Sequence, residues 1–202
     1  MELGIAGHWI WQDVHAQPVS HAAHALQSSV LNKYTQERLR VLELGSGCGI
    51  VSIMLALQRP YWQIEAVEIQ PELCHIATGN AQQCGAHITF INTDLTTYNS
   101  EQPYDLIVAN PPWLKKDSGI YSPWDSRNIS RFELACSMPD VLNCLKRNMA
   151  EQGASVLLYP INRMEDLTAA AQETLLDIKA DFPVTGLKGH VICHLWHQGQ
   201  HL

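Results

Sequence analysis

The sequence predicts an α/β fold built on one mostly parallel, twisted sheet with helices on both faces and an antiparallel hairpin at its C-terminal end. Three observations predict it. Short apolar runs alternate with segments of helical period, a glycine-rich turn follows the first run, and Asn110-Pro111-Pro112 stops the fourth. With 202 residues and 46% hydrophobic side chains the chain can bury one substantial core but is short for two. A single domain over residues 1–202 is expected.

Residues 1–36 form a lead-in: a loop with Trp9 and Trp11, then a helix opened by Pro18 in which Val19, Ala22, Ala23, Leu26 and Val30 recur at helical spacing. Leu39 to Leu44 is the first strand, and Ile50 to Leu57, apolar all round, is a helix buried against the sheet. Ile64 to Ile69 is the second strand. Pro71 opens the next helix, where proline costs no hydrogen bond, and Gly85 ends it. Ile88 to Ile91 and the run Leu106 to Ala109 are strands three and four. Pro111 and Pro112, having no N–H to donate, end the fourth. Residues 114–131 form an irregular loop facing the substrate. Pro139 opens a helix that Gly153 ends, Ser155 to Tyr159 is the fifth strand, and a helix follows near Met164 to Leu176. Phe182 to Leu187 and Val191 to Trp196 flank Lys188-Gly189 as the arms of the hairpin.

No stretch approaches the roughly 20 apolar residues of a bilayer span, and the start lacks the basic region and cleavage site of a secretory signal. A cytoplasmic protein without membrane association is expected. Six scattered cysteines contain no C-x-x-C pair, so buried free thiols are expected rather than zinc ligands or disulfides. His194, His197 and His201, like His21 and His24, have spacings that could share a metal, but a chain end favours solvent-exposed histidines, and no metal site is predicted. The net charge of −7 argues against indiscriminate nucleic-acid binding. Lys115 to Arg131 departs from that balance, with four basic side chains against two acidic ones.

Ligands of such sheets bind beyond the carboxyl ends of the strands. The first strand runs into Glu43-Leu44-Gly45-Ser46-Gly47-Cys48-Gly49. Its glycines allow a tight turn and close ligand approach, and Glu43 can engage a cationic amino group, which suits a methionine moiety better than a pyrophosphate. Ile50 stands where the dinucleotide fingerprint requires glycine. Glu68, ending the second strand, is placed for ribose hydroxyls, and Asp94 with Leu95 for an adenine edge and ring. These residues resemble the Rossmann-like class I methyltransferases that use S-adenosyl-L-methionine. The resemblance implies that fold, that cofactor, and binding by Glu43, Gly45, Gly47, Gly49, Glu68, Asp94 and Leu95.

Asn110-Pro111-Pro112-Trp113 lies where the fourth strand ends and resembles the signature of amino-methyltransferases. An exocyclic or amide nitrogen is a poor nucleophile because its lone pair is delocalised. The Asn110 side-chain oxygen and the Pro111 carbonyl can each accept one of its N–H groups and so aim the lone pair. Pro111 and Pro112 stiffen the backbone, and Trp113 offers a flat stacking face.

The same motif, followed by Ser122-Pro123, Arg127, Arg131, Glu133 and Gly153, resembles the bacterial tRNA valine adenine-N6 methyltransferase family, with Trp113 where tyrosine is usual. That resemblance implies an RNA acceptor, with Lys115, Lys116, Arg127 and Arg131 as phosphate contacts. A protein acceptor, through the similar release-factor glutamine-N5 methyltransferases, ranks second. A small-molecule N-methyltransferase and a silent cofactor-binding subunit are the remaining alternatives.

Overall fold

The computed structural model describes residues 2, 3, 5, 7–181 and 187–200. Ser20 starts α1 (His21–Lys33) by accepting the backbone N–H of Ala22 on its hydroxyl. Ala22, Ala23, Leu26 and Val30 form the buried stripe of α1, at the predicted spacing, whereas Pro18 and Val19, expected in the helix, lie before its Ser20 cap. β1 (Arg40–Leu44) then leads through the glycine turn into α2 (Ile50–Gln58), whose residues from Ile50 to Ala56 are all buried. β2 (Gln63–Glu68) is followed by α3 (Pro71–Cys84), which starts with its proline and ends at Gly85 in the left-handed conformation, φ 67°. β3 (Ile88–Asn92) and β4 (Tyr104–Ala109) complete the first half.

The sheet has seven strands in the order β3-β2-β1-β4-β5-β7-β6. β3, β2, β1, β4 and β5 (Met149–Pro160) run parallel, while β7 (His190–His197) lies antiparallel between β5 and β6 (Leu176–Asp181). Alternate strand residues serve opposite faces. Val41, Ile64, Leu106, Val108 and Val156 pack in the layer with α1, α2 and α3. Leu42, Leu44, Val67, Ile107 and Leu157 pack in the other, against α5 (Met138–Asn148) and α6 (Met164–Glu173). The strand order reverses direction beside β1, between β2 and β4, which opens a crevice at the carboxyl ends of those strands.

Four further expectations are corrected. Residues 114–131 are not wholly irregular, because Asp125–Arg131 forms a short helix, α4, without the apolar period that would announce it. Gly153 does not end α5. That helix starts on a Ser137–Asp140 capping box and passes at Met149 directly into β5, so Gly153 lies within the strand. A Cβ there would stand 2.8 Å from the Tyr104 carbonyl oxygen, so the glycine allows β5 to pass β4 where their register shifts. The hairpin partner of β7 is Leu176–Asp181, immediately after α6, rather than Phe182 to Leu187; positions 182–186 lie outside the described residues. His194 is not exposed. Sitting centrally in β7, it is buried, and its Nε2 lies 2.9 Å from Asp181 Oδ2 on β6. His201 lies outside the described residues.

All six thiols are free, with five buried and Cys48 half-buried. No described helix is long and apolar enough to cross a membrane.

Candidate active site

The carboxyl ends of β1, β2 and β4 and the residues after β3 enclose a cleft of about 680 Å³, within the size range of small-molecule sites. Its roof comes from the segment before α1, including Gln12, Asp13, Ala16 and Gln17, and from α4. Arg127 of α4 ties these together, donating from Nε to the Ala16 carbonyl (3.2 Å) and from Nη2 to the Val14 carbonyl (3.1 Å).

The turn after β1 is shaped by left-handed glycines, with φ 70° at Gly45 and 55° at Gly47. The backbone N–H groups of Gly45 and Ser46 donate to the Val67 carbonyl at 2.9 and 3.1 Å, pinning the turn to β2. Both glycines line the cleft, and a Cβ on either would meet open space. Gly49 differs from the expectation. It does not line the cleft; at φ 84° it begins α2, and a Cβ there would lie 2.9 Å from the Phe90 ring. Its role is helix-to-strand packing.

The three predicted acids all reach the cleft. Glu43 is buried and accepts the Ser52 backbone N–H at 2.9 Å and the Ser52 hydroxyl on the same oxygen. Burial raises its carboxyl to about 8 in spite of these donors. Glu68 accepts the N–H of Gly47 at 2.8 Å on one oxygen and that of Gln70 at 3.0 Å on the other. Burial raises this carboxyl too, against the opposing pull of those amides. Asp94 accepts the Thr96 N–H at 2.8 Å, an Asx turn that holds Leu95 beside it at the cleft wall.

Asn110, Pro111, Pro112 and Trp113 line the same cleft. The Asn110 side chain is exposed and has no hydrogen-bond partner among the described residues. Trp113 is half-buried, with its indole nearly perpendicular to the His190 ring and its carbonyl hydrogen-bonded by Arg163.

The four predicted basic residues are divided. Arg127 and Arg131 line the cleft, but Arg127 is engaged with the roof, and the Arg131 guanidinium lies 5.6 Å from the centre of the Phe132 ring. Lys115 and Lys116 do not line it. Lys115 pairs with Asp166 at 2.9 Å, and Lys116 is exposed.

Sequence reasoning missed His190, Arg163, Ser46 and Gln70. Ser46 Oγ is buried in the glycine turn without a hydrogen-bond partner among the described residues. Gln70 reaches from the start of α3 to the Ser130 hydroxyl, 3.3 Å away, joining α4 to the Glu68 strand end. Only Ser46, inside the glycine motif, carried a local signal.

Three acidic side chains, a buried hydroxyl without a partner among the described residues, two glycines opening on free space and the apolar Leu95 fit a nucleoside that carries a cationic amino-acid tail.

The methyltransferase small domain model matches residues 14–122. The chain is 33% identical over 158 residues to a tRNA1(Val) (adenine(37)-N6)-methyltransferase of Aeromonas hydrophila subsp. hydrophila, covering 77% of this chain and 60% of that protein. It spans about half the length of several other curated relatives of that name. It is 35% identical over 86 residues to a release factor glutamine methyltransferase of Bacillus anthracis, covering 42% of this chain and 30% of that one. Among solved structures, a ribosomal protein L11 methylase of Lactobacillus delbrueckii subsp. bulgaricus superposes with a TM-score of 0.68 at 18% identity, covering 93% of this chain and 84% of that one.

Proposed function

The chain belongs to the methyltransferase small domain family, and from that premise we propose that it transfers a methyl group from S-adenosylmethionine to an exocyclic amino nitrogen, adenine-N6 of a tRNA. The cofactor, when bound, supplies an electrophilic methyl group on a sulfonium. Glu43 would face its ammonium, Glu68 the ribose hydroxyls, and Asp94 with Leu95 the adenine, while Gly45 and Gly47 leave the backbone bare for close approach.

On the acceptor side, the amide oxygen of Asn110 and the carbonyl of Pro111 each take one N–H of the target amine. Two acceptors oppose delocalisation of the lone pair into the ring and hold it in one direction. No general base is needed to start the reaction, since the methylated nitrogen is cationic and sheds its proton readily. Trp113 provides the stacking face, and a base in a folded RNA would be turned out to reach it.

The observation that carries the proposal is the meeting, in one cleft, of an Asn110 amide without a partner among the described residues and the three acids of the glycine-turn side. A flat acceptor suits Trp113, and the basic balance of residues 115–131 suits phosphate. Relatives named for tRNA adenine methylation support the same acceptor. With tRNA as acceptor, the protein works in the cytoplasm. The stretch shared with a glutamine methyltransferase supports a second reading, an amide nitrogen of a protein.

Labelled methyl transfer to an unmodified tRNA transcript, run beside transfer to a purified release factor, separates the two. The proposal expects label in the transcript, recovered as N6-methyladenosine; label in the release factor alone would move the acceptor to protein.

A further inference from the structure

We propose that His190 and Arg163 are positioning residues that preset the indole of Trp113 for the acceptor. The inference rests on the reading of Trp113 as the acceptor's stacking face.

Pro111 and Pro112 fix their own φ angles but leave the Trp113 peptide and the two side-chain torsions of its indole undetermined. Both are determined from elsewhere. Arg163, 8% exposed at the end of a single 3-10 turn after β5, donates from Nη1 to the Trp113 carbonyl. Its guanidinium is fixed in turn, with Nη2 2.8 Å from Glu133 Oε1 and Nε 2.9 Å from Asp166 Oδ2. A planar fork held on three sides can hold a carbonyl in one place.

His190 sets the ring. It begins β7, opposite Pro160 of β5, and its ring centre lies 5.7 Å from that of Trp113 with the planes at 78°. Such edge-to-face pairs are favoured by the charge distribution of the rings. The imidazole is itself anchored, its Nδ1 donating to the Lys188 carbonyl 3.2 Å away. Trp113 and His190 both line the cleft, so the preset plane is presented where the acceptor must lie. An indole left free would have to be ordered at each binding event, at a cost in rotamer entropy.

The test is steady-state methyl transfer to an unmodified tRNA transcript, with S-adenosylmethionine affinity measured separately by calorimetry. His190→Ala is expected to lower kcat/KM for the transcript about fivefold, the scale of an edge-to-face pair, with cofactor affinity unchanged. His190→Phe, which keeps a ring edge, should recover most of the loss. Arg163→Lys, which keeps a charge near Glu133 but loses the fork, should also lower kcat/KM without moving cofactor affinity. In a Trp113→Ala background neither change should cost anything further. A His190→Ala loss that persists undiminished there, or rescue by Gln instead of Phe, would overturn the positioning role and make His190 a direct contact. If Trp113→Ala alone is silent, the stacking reading falls, and the inference with it.

Discussion

The Glu68 carboxylate reaches back from the end of β2 to accept the backbone N–H of Gly47 at 2.8 Å. The acid proposed to face the ribose and the glycine turn are thereby one unit, so a change at Glu68 disturbs both. Glu68→Ala should weaken S-adenosylmethionine binding about a hundredfold, from the loss of charge-assisted hydrogen bonds. Calorimetry would show it, and an unchanged affinity would remove Glu68 from the cofactor site.

Asn110→Ala should separate binding from chemistry. The residue is assigned to the acceptor amine, so kcat should fall by about two to three orders of magnitude, as when an oriented catalytic hydrogen-bonding group is lost. Cofactor affinity should stay within about twofold. Equal losses in both would contradict the division between the two halves of the cleft.

The buried carboxyl of Glu43 makes stability depend on pH. Burial raises it from 4.5 to about 8, so the folded chain keeps a proton that the unfolded chain releases. The stabilisation is complete below the unfolded value and is lost as pH rises through the folded one. Without cofactor, the stability of the wild type should fall between pH 5 and pH 8, with this one group contributing up to about 1.4 kcal/mol per pH unit. Glu68, also raised, acts in the same direction. The difference between the wild type and Glu43→Gln therefore isolates Glu43: thermal melting should show a shallower decline in the variant, and equal slopes would contradict the protonated state.

Two glycines of one motif should respond differently to alanine. Gly49→Ala combines a left-handed φ with a Cβ 2.9 Å from the Phe90 ring and 3.0 Å from the Ala77 Cβ. It should cost about 2–4 kcal/mol of stability, with or without ligand. Gly45→Ala meets no atom within 4 Å, leaving only backbone strain of about 1–2 kcal/mol. Its added methyl group should mainly weaken cofactor binding. Melting curves with and without S-adenosylmethionine distinguish the two, and similar melting temperatures for both variants would contradict the separation of packing from ligand approach.

The parts of the fold that were legible in the sequence are those whose signals are local. The stripe of α1, the proline start and glycine stop of α3, and the Asn-Pro-Pro end of β4 can each be read within a few residues. β6 was missed although Leu176-Asp177-Ile178-Lys179-Ala180-Asp181 alternates apolar and charged residues as a half-buried strand does, because it follows directly on α6, whose helical period runs up to it, and lies well before the Lys188-Gly189 turn. α4, written Asp-Ser-Arg-Asn-Ile-Ser-Arg, has no apolar period, and Gly153 looked like a helix stop because the contact it permits, with Tyr104, is remote in sequence. The cleft behaved similarly. Glu43, Glu68, Asp94 and Asn110 follow from strand ends, whereas Arg163 and His190 matter through Trp113, which only the folded sheet brings near. Lys115 carried a basic-patch signal, yet its ammonium is paired with Asp166, an exposed pair worth little to stability.

The central claim, methyl transfer to an adenine amine in RNA, is tested most directly by one measurement. Methyl-labelled S-adenosylmethionine is incubated with the protein and unmodified cellular RNA and protein fractions, with Asn110→Ala as control, and the RNA is digested to nucleosides. The account predicts label in N6-methyladenosine, abolished by Asn110→Ala. Label confined to protein, or RNA label that survives Asn110→Ala, would contradict it.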